Sequence, residues 1–409
     1  MQIPKNVILE QAKCHTSFYL YQEAVIREET NRLKSHFPNV TFLYSMKTNS
    51  HPHVVRTIFD QGFGVDAASL AEAKAGQAYG MPARMIQYSA PGKSVSEIET
   101  ALDFATLIAD SVGEVTRIQE AAARQGIIAQ IGIRINPNFT FYSETGVPAK
   151  FGIDEEQVFA LLPQWNALPN IKIVGIHVHS RSQELNTDVI CRYYEKMFDL
   201  ASRIQSALGH PLQFVNLGSG IGIPFAPEDA PVDTARLGQH LSAQITAFAD
   251  RLPHAQIYIE TGRYASGKSG LYVTTVVDKK ISRGKTFVML AQTLNGFIRP
   301  SIIPFVQSFT KEACPAANEP LFTKPGAFSF LPLRQKETDT TQIITLVGSL
   351  CTAQDIVAAD IELPAMEVGD LMVMTNAGSY AASITPFQFS SHIPPAQLFL
   401  TTDGEVLNA

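Results

Sequence analysis

Lys47 stands in Tyr44-Ser45-Met46-Lys47-Thr48-Asn49, directly after the apolar run Val40-Thr41-Phe42-Leu43. Such a run reads as a buried strand, which puts the lysine at the strand's C-terminal mouth. An ammonium there costs desolvation unless it is paired or used. A lysine with a shifted pKa can condense with an aldehyde. Most lysines are solvated and inert, so the reading needs support from the rest of the chain. Other chemistry-bearing residues recur at the ends of later apolar runs: Asp66, Tyr88, Arg134, His179, the run Gly218-Ser219-Gly220-Ile221-Gly222, and Glu260 with Gly262 and Arg263.

Each of these has an ordinary alternative. His179 can be a hydrogen-bonded rim histidine, Glu260 the partner of a nearby arginine, and the glycine run a tight turn. Together they suit a phosphorylated cofactor. Glycines let backbone N–H groups face a phosphate, and Arg263 can add a bidentate contact. A carboxylate such as Glu260 can keep a pyridine nitrogen protonated while Lys47 holds an aldehyde. That combination implies pyridoxal 5'-phosphate, whose ring is an electron sink. The run GSGIG lacks the full GxGxxG layout, which disfavours a nicotinamide fold. Cys351, in VGSLCTAQD, is either a small core residue or a proton donor. Tyr380, in NAGSYA, is either structural or a hydroxyl that reaches a phosphate.

The elements that must carry these residues alternate. Residues 17–21 read as a short strand and 22–36 as a helix. Further strands end near Asp66, Tyr88, Ala109, Ile135, Val178, Leu217 and Glu260, with helical segments such as 70–79, 111–124 and 187–207 among them. With the strand before Lys47 this makes eight strand–helix units, an α/β chain that predicts a (β/α)8 TIM barrel over residues 25–267. The rival arrangement is an open doubly wound sheet. After about Gly267 the long helices stop. Runs at 271–277, 285–290, 341–348 and 370–375 predict an all-β domain from residues 268–409, with residues 1–24 joined to it. The first stretch to about Thr16 reads as loose, and Pro300 to Arg334 as irregular loop.

Composition narrows the class. The 409 residues are 45% hydrophobic and 17% charged, with a formal net charge of −6, enough to bury a full core in two domains. That balance argues against a nucleic-acid surface or a polybasic membrane anchor. No apolar run is long enough to span a bilayer, and MQIPKNVILEQAK shows no secretory pattern. Cys14, Cys191, Cys314 and Cys351 lack paired metal-site spacing, so no metal is expected. They fit a reducing, cytoplasmic setting.

The motifs YSMKTN, VDAASLAEA, RINPN, AKFG, GIHVHSRSQ, NLGSGIGIPF, ETGRY, CTAQD and NAGSYA resemble, as a set, those of the fold-type III pyridoxal-phosphate decarboxylases. That family includes the ornithine, arginine and diaminopimelate decarboxylases, and the similarity covers nearly the whole chain. The resemblance implies a barrel with an appended β-domain, a homodimer with shared sites and an amino-acid-derived substrate. It implies that Lys47 carries the cofactor's aldehyde, His179 stacks on its ring and Glu260 faces the pyridine nitrogen. It makes Gly218, Ser219, Gly220, Gly262, Arg263, Tyr380 and Ser182 the phosphate surroundings, with Asp66, Glu72 and Arg134 as polar support. Cys351, delivered by the second subunit, becomes the acid that protonates the decarboxylated carbon. Arg299, before Pro300, resembles an arginine used toward a substrate carboxylate, and Asp355 closes the CTAQD motif at the substrate end.

Four departures bear on substrate. Thr352 stands where the diamine-forming members usually carry an acid, so a buried distal ammonium would go unmatched. Arg181 replaces a frequent glycine and adds positive charge. Ser219 replaces the middle glycine of the family's GGG, and Thr261 the proline of EPGR. In addition, no tyrosine follows Arg299-Pro300. These predict a modified or carboxylate-bearing substrate, with citryl-2,3-diaminopropionate of siderophore biosynthesis slightly favoured. Diaminopimelate or a glutamyl group on an acyl carrier protein is the alternative. A racemase or an inactive decarboxylase mimic ranks below both.

Overall fold

Short apolar runs, buried on both faces, form the central sheet. In the structure, a computed structural model that describes residues 4–307, 324–334 and 340–409, the chain opens with α1 (Lys5–Gln11) and β1 (Ser17–Gln22). Helix α2 (Glu23–His36) then leads to β2 (Val40–Ser45), α3 (Pro52–Asp60), β3 (Gly64–Ala67), α4 (Leu70–Ala78), β4 (Ile86–Tyr88), α5 (Val95–Ala101), β5 (Thr106–Ala109) and α6 (Val112–Gln125). The alternation continues through β6 (Ala129–Asn136), the two-residue β7 (Ile153–Asp154), α7 (Glu155–Asn166), β8 (Ile171–His177), α8 (Thr187–Leu208), β9 (Phe214–Asn216), α9 (Thr234–Ala247), β10 (Gln256–Thr261) and the short α10 (Arg263–Ser266).

Strands β5-β4-β3-β2-β10-β9-β8-β6 pair in that order, in parallel, and the β5–β6 pairing closes them into an eight-stranded barrel. The open-sheet rival is thereby excluded. The helices behind the strands start where the sequence supplies caps. Ser69 accepts from Glu72 N and Ser111 from Glu114 N, Ser94 and Glu97 form a reciprocal capping box, and Asn186 accepts from Asp188 N and Val189 N. The barrel interior is filled below the rim by Leu43, Ile108, Val174, Phe214 and Tyr258. A Cβ at Gly175 would stand 2.3 Å from the Phe214 ring, so that glycine is what admits the phenylalanine.

A second, antiparallel-rich sheet holds the remaining strands. These are β11 (Gly270–Ser282), β12 (Lys285–Leu290), β13 (Phe330–Leu333), β14 (Thr341–Gly348), β15 (Ile356–Pro364), β16 (Leu371–Met374), β17 (Ala396–Leu400) and β18 (Val406–Asn408). Its order is β15-β14-β12-β11-β1-β17-β18, with β16 on β11 and β13 on β16. The spare early strand, β1, lies here between β11 and β17.

Two local expectations are corrected. The loose N-terminal stretch contains α1, because Ile8 buries completely against Phe18, Leu20, Leu271 and Val273. Tertiary burial holds a helix too short to persist alone. The loop expected from Pro300 to Arg334 contains α11 (Arg299–Gln307) and β13. Pro300 sits in the first turn of α11, where a missing N–H costs nothing. Strand β13 carries Pro332 at a sheet edge, pairing among the described residues with β16 alone. The rest of that segment, residues 308–323 with Cys314, lies outside the described residues.

Candidate active site

The C-terminal ends of the barrel strands surround a cavity of about 410 Å³. Lys47, Arg134, His179, Ser182, Arg263 and Tyr380 line it, with Arg181, Ser219 and Gly262. Lys47 follows β2, and its Nζ is 3.7 Å from Asp66 Oδ2, at the end of β3. Asp66 is 1% exposed and accepts hydrogen bonds from Ser45 Oγ and Ser89 Oγ, both at 2.7 Å. The Asp66 charge beside it holds the Lys47 ammonium well above the usual lysine range, against burial and the Arg134 charge. Arg134 is itself steadied by Asp110 at 3.4 Å, and its guanidinium lies 4.4 Å from the Phe151 ring centre. Glu72 accepts from Ala68 N at 2.6 Å, so it braces the turn after Asp66. Tyr88 donates to Glu97 instead of entering the cavity.

Glu260 is 3% exposed at the end of β10. Its Oε1 lies 2.8 Å from His177 Nε2 and accepts from Asn216 Nδ2 at 3.2 Å. Its Oε2 accepts no hydrogen bond among the described residues and lies 3.5 Å from His179 Nδ1. That last pair is not an ion pair. Ser219 N donates to His179 Nδ1 at 3.3 Å, so the proton of the neutral ring is on Nε2, 2.9 Å from Ser182 Oγ. Burial, helped by the charges of Lys47 and Arg134, pushes His179 down to about 3 despite Glu260, and the ring is uncharged at neutral pH. Burial opposes ionisation of Glu260, but the adjoining His177 with His179 and Lys47 outweighs it and holds the carboxyl below its usual range.

The loop after β9 carries Gly218 at φ +66° and Gly220 at φ +96°, where a Cβ would meet Val178 O at 2.3 Å and the Phe141 ring at 2.9 Å. Ser219 between them is not in the left-handed region, so the departure from a third glycine strains nothing. Tyr380, by contrast, is held at φ +47°, with its N–H donating to Thr48 O at 2.8 Å and the Arg263 guanidinium 5.1 Å from its ring centre. β9 and β10 are the seventh and eighth barrel strands, whose loops commonly bind phosphate in this architecture.

A neutral imidazole, an amine, Ser219 of the glycine-rich loop and an arginine line one cavity, and the strongly ionised Glu260 is buried directly behind His179 with one oxygen that accepts nothing among the described residues. They fit a phosphorylated pyridine aldehyde: Glu260 Oε2 is placed for a protonated ring nitrogen, and Lys47 for the aldehyde.

Of the residues expected around the cofactor, Asp66, Gly218, Gly220 and Glu260 lie behind the cavity lining, and the expected proton donor and three expected substrate residues do not line it either. Cys351 and Thr352 lie in the loop after β14, Cys351 exposed. Asp355 was expected at the substrate; it is buried, with Oδ1 taking Thr293 Oγ1 and Leu294 N and Oδ2 taking Leu350 N. Those bonds make it the anchor of its own loop. Arg299 was expected to meet substrate; it is 0% exposed, donates to Ser379 O at 3.1 Å and lies 5.1 Å from the ring centres of Phe225 and Phe328. Burial, with Arg263 nearby, pushes its guanidinium down to about 9. The sequence reading missed His177, Asn216 and Lys150. The first had a signal: His177 and His179 are two apart, which places them on one face of an extended segment.

Residues 23–267 match the family described as "Pyridoxal-dependent decarboxylase, pyridoxal binding domain". The chain is 31% identical over 392 residues to the L-glutamyl-[BtrI acyl-carrier protein] decarboxylase of Niallia circulans, covering 94% of this chain and 88% of that one. It is 28% identical over 412 residues to the 2-[(L-alanin-3-ylcarbamoyl)methyl]-2-hydroxybutanedioate decarboxylase of Staphylococcus aureus, covering 97% and 98%. Among solved structures, the diaminopimelate decarboxylase of Helicobacter pylori complexed with L-lysine superposes with a TM-score of 0.82 at 25% identity, covering 98% of this chain and 95% of that one. No helix of the described residues is long and apolar enough to cross a membrane. The motifs, the closed barrel, the cavity and these matches agree: the chain belongs to the pyridoxal-dependent decarboxylase family, a carboxy-lyase whose cofactor is pyridoxal phosphate.

Proposed function

We propose that this enzyme decarboxylates an amino-acid-derived substrate that carries a further carboxylate, of the type 2-[(L-alanin-3-ylcarbamoyl)methyl]-2-hydroxybutanedioate. The observation that carries the reading is the meeting of Lys47 and the open oxygen of Glu260 around one neutral histidine. The relative from Staphylococcus aureus supports the substrate type. So does the absence of any Asp or Glu from the cavity lining among the described residues, since nothing there would match a distal ammonium.

Pyridoxal phosphate, when bound, supplies a sink for the electron pair that the departing carboxylate leaves behind. Lys47, whose amine lines the cavity, would hold the cofactor's aldehyde. Glu260, fixed by His177 and Asn216, keeps a proton on the ring nitrogen. His179, uncharged and pinned by Ser182 and Ser219, would pack against the ring without competing for that proton. Arg263, Tyr380 and the loop through Gly218, Ser219 and Gly220 would take the phosphate, with Ser182 and Gly262 beside them. The substrate carboxylate leaves as CO2, and a thiol proton from Cys351 replaces it on the same carbon. Cys351 comes from a second copy of the chain, in a cytoplasmic homodimer with two shared sites.

A second reading, a glutamyl group borne on an acyl carrier protein, rests on the 31% relative from Niallia circulans. Release of CO2 across a panel separates the two. The reconstituted protein should turn over the hydroxybutanedioate amide at least about tenfold more efficiently than L-lysine. Preference for the carrier-bound glutamyl group would select the second reading, and no CO2 from any compound would contradict both.

A further inference from the structure

Five cationic side chains line the cavity, namely Lys47, Arg134, Lys150, Arg181 and Arg263, and no carboxylate does among the described residues. The acids that pair three of them, Asp66, Asp110 and Glu184, are buried behind the wall. Lys47 and Arg263 belong to the cofactor, and Arg134 is buried against Asp110. Arg181 and Lys150 remain. They sit on the rim loops after β8 and β6, the sixth and fifth barrel strands, away from the glycine loop of the seventh.

Arg181 is paired with a buried carboxylate. Its Nε lies 3.2 Å from Glu184 Oε2, and its guanidinium is 5.2 Å from the Tyr142 ring centre. Tyr142 donates to the same Glu184 oxygen at 2.5 Å. The other oxygen of Glu184 accepts from Leu185 N at 3.0 Å and Asn186 N at 2.9 Å. Glu184 is therefore fully engaged, and it pairs with Arg181 by charge on the Nε side without a hydrogen bond to Nε. The terminal amino groups of Arg181 donate no hydrogen bond among the described residues, and the side chain lines the cavity and is 30% exposed. Lys150, 5.2 Å from the Phe151 ring centre, has no ion pair among the described residues. A guanidinium paired on one edge and open on the other presents a planar fork matched to a carboxylate.

We propose that Arg181, seconded by Lys150, forms an anion subsite that binds a carboxylate at the far end of the substrate. The inference rests on the decarboxylase reading and names the residues that select within it. The Tyr142–Glu184–Arg181 cluster pre-orders the subsite, so the carboxylate gains a bidentate contact at little entropic cost. A substrate ending in an amine alone meets two cations and is rejected.

The test uses two ligands that differ by one distal carboxylate, meso-diaminopimelate and L-lysine. Their binding to the holoenzyme is read by perturbation of the cofactor's absorbance, and their CO2 release in parallel. The wild type should bind diaminopimelate at least about tenfold more tightly than lysine. Arg181→Gln should erase that ratio through the diaminopimelate constant, with kcat changed by less than about threefold, and Arg181→Lys should restore part of it. Lys150→Gln should lower the ratio by a smaller factor. A wild type that binds both ligands equally, or neither, overturns the proposal, as does an Arg181→Gln protein that keeps the full ratio. Those outcomes occur with the cofactor band present. Loss of the band together with CO2 release from nothing would instead contradict the decarboxylase reading itself.

Discussion

Ser45 and Ser89 each donate to Asp66 from 2.7 Å, and the carboxylate they fix is what sets the charge of Lys47. An amine must be neutral to attack an aldehyde, so Asp66 controls the pH at which apoenzyme captures its cofactor. The sign follows from the forces present. Asp66 most of all, with Tyr380 and Glu260, raises the lysine, while burial and Arg134 lower it. In Asp66→Asn the largest raising influence is gone and only the smaller ones from Tyr380 and Glu260 oppose burial and Arg134, so the pH midpoint of capture, followed by stopped-flow absorbance, should move down. An unmoved or raised midpoint would show that Asp66 does not govern the amine. The same pairing contributes stability below the unfolded lysine pKa and loses it as pH rises beyond that point. Glu260→Gln tests the opposite end of the cofactor. The amide keeps the shape and loses the charge, so cofactor should stay bound while turnover falls about 100-fold or more; turnover within about threefold of wild type would remove Glu260 from the mechanism. Lys47, His179 and Glu260 were legible in the sequence because each terminates an apolar run. Asn216 and Gln87, which bond each other at 2.7 Å beneath Glu260, were not, because they lie inside strands whose apolar neighbours hide them. The burial of Arg299 and Asp355 was not legible for a related reason: a charged residue in a Pro-rich or polar stretch reads as exposed, and only tertiary packing buries it.

At the scale of elements, the barrel strands and their capped helices were readable, since Ser69, Ser94, Ser111 and Asn186 mark helix starts locally. What local pattern could not supply was α1 or α11, each held by contacts distant in sequence. The seam between the two sheets has the same character. His51, preceding α3, is buried, with its ring 5.2 Å from Tyr21 of β1 and 6.1 Å from Phe399 of β17. Burial there pushes it down to about 4. Its folded pKa lies below the unfolded value, so the unfolded chain binds more protons between about 6.5 and 4, and stability falls as pH drops through that window. His51→Phe keeps the stacking and removes the titration. It should spare about 2 kcal/mol of the loss seen at about pH 4.5, measured by urea unfolding across that range. An equally steep loss in the variant would place the acid sensitivity elsewhere, His179 being the next group with the same sign.

For the whole molecule, the position of Cys351 is the decisive feature, exposed on the β-domain and absent from its own chain's cavity lining. A shared site predicts complementation. Lys47→Ala and Cys351→Ala proteins, each nearly inactive, should regain about a quarter of wild-type activity when unfolded and refolded together. Half of the resulting dimers are mixed, and each of these carries one intact site of two. No recovery, despite mixed dimers detected by mass, would mean that the acid and the amine come from one chain. All of this presupposes that the amine at position 47 holds the cofactor. Borohydride reduction of the holoenzyme followed by peptide mass mapping tests that directly. The account predicts one pyridoxyl label per chain, on the peptide carrying Lys47 and missing from Lys47→Ala; a label on another lysine, or none, would contradict it.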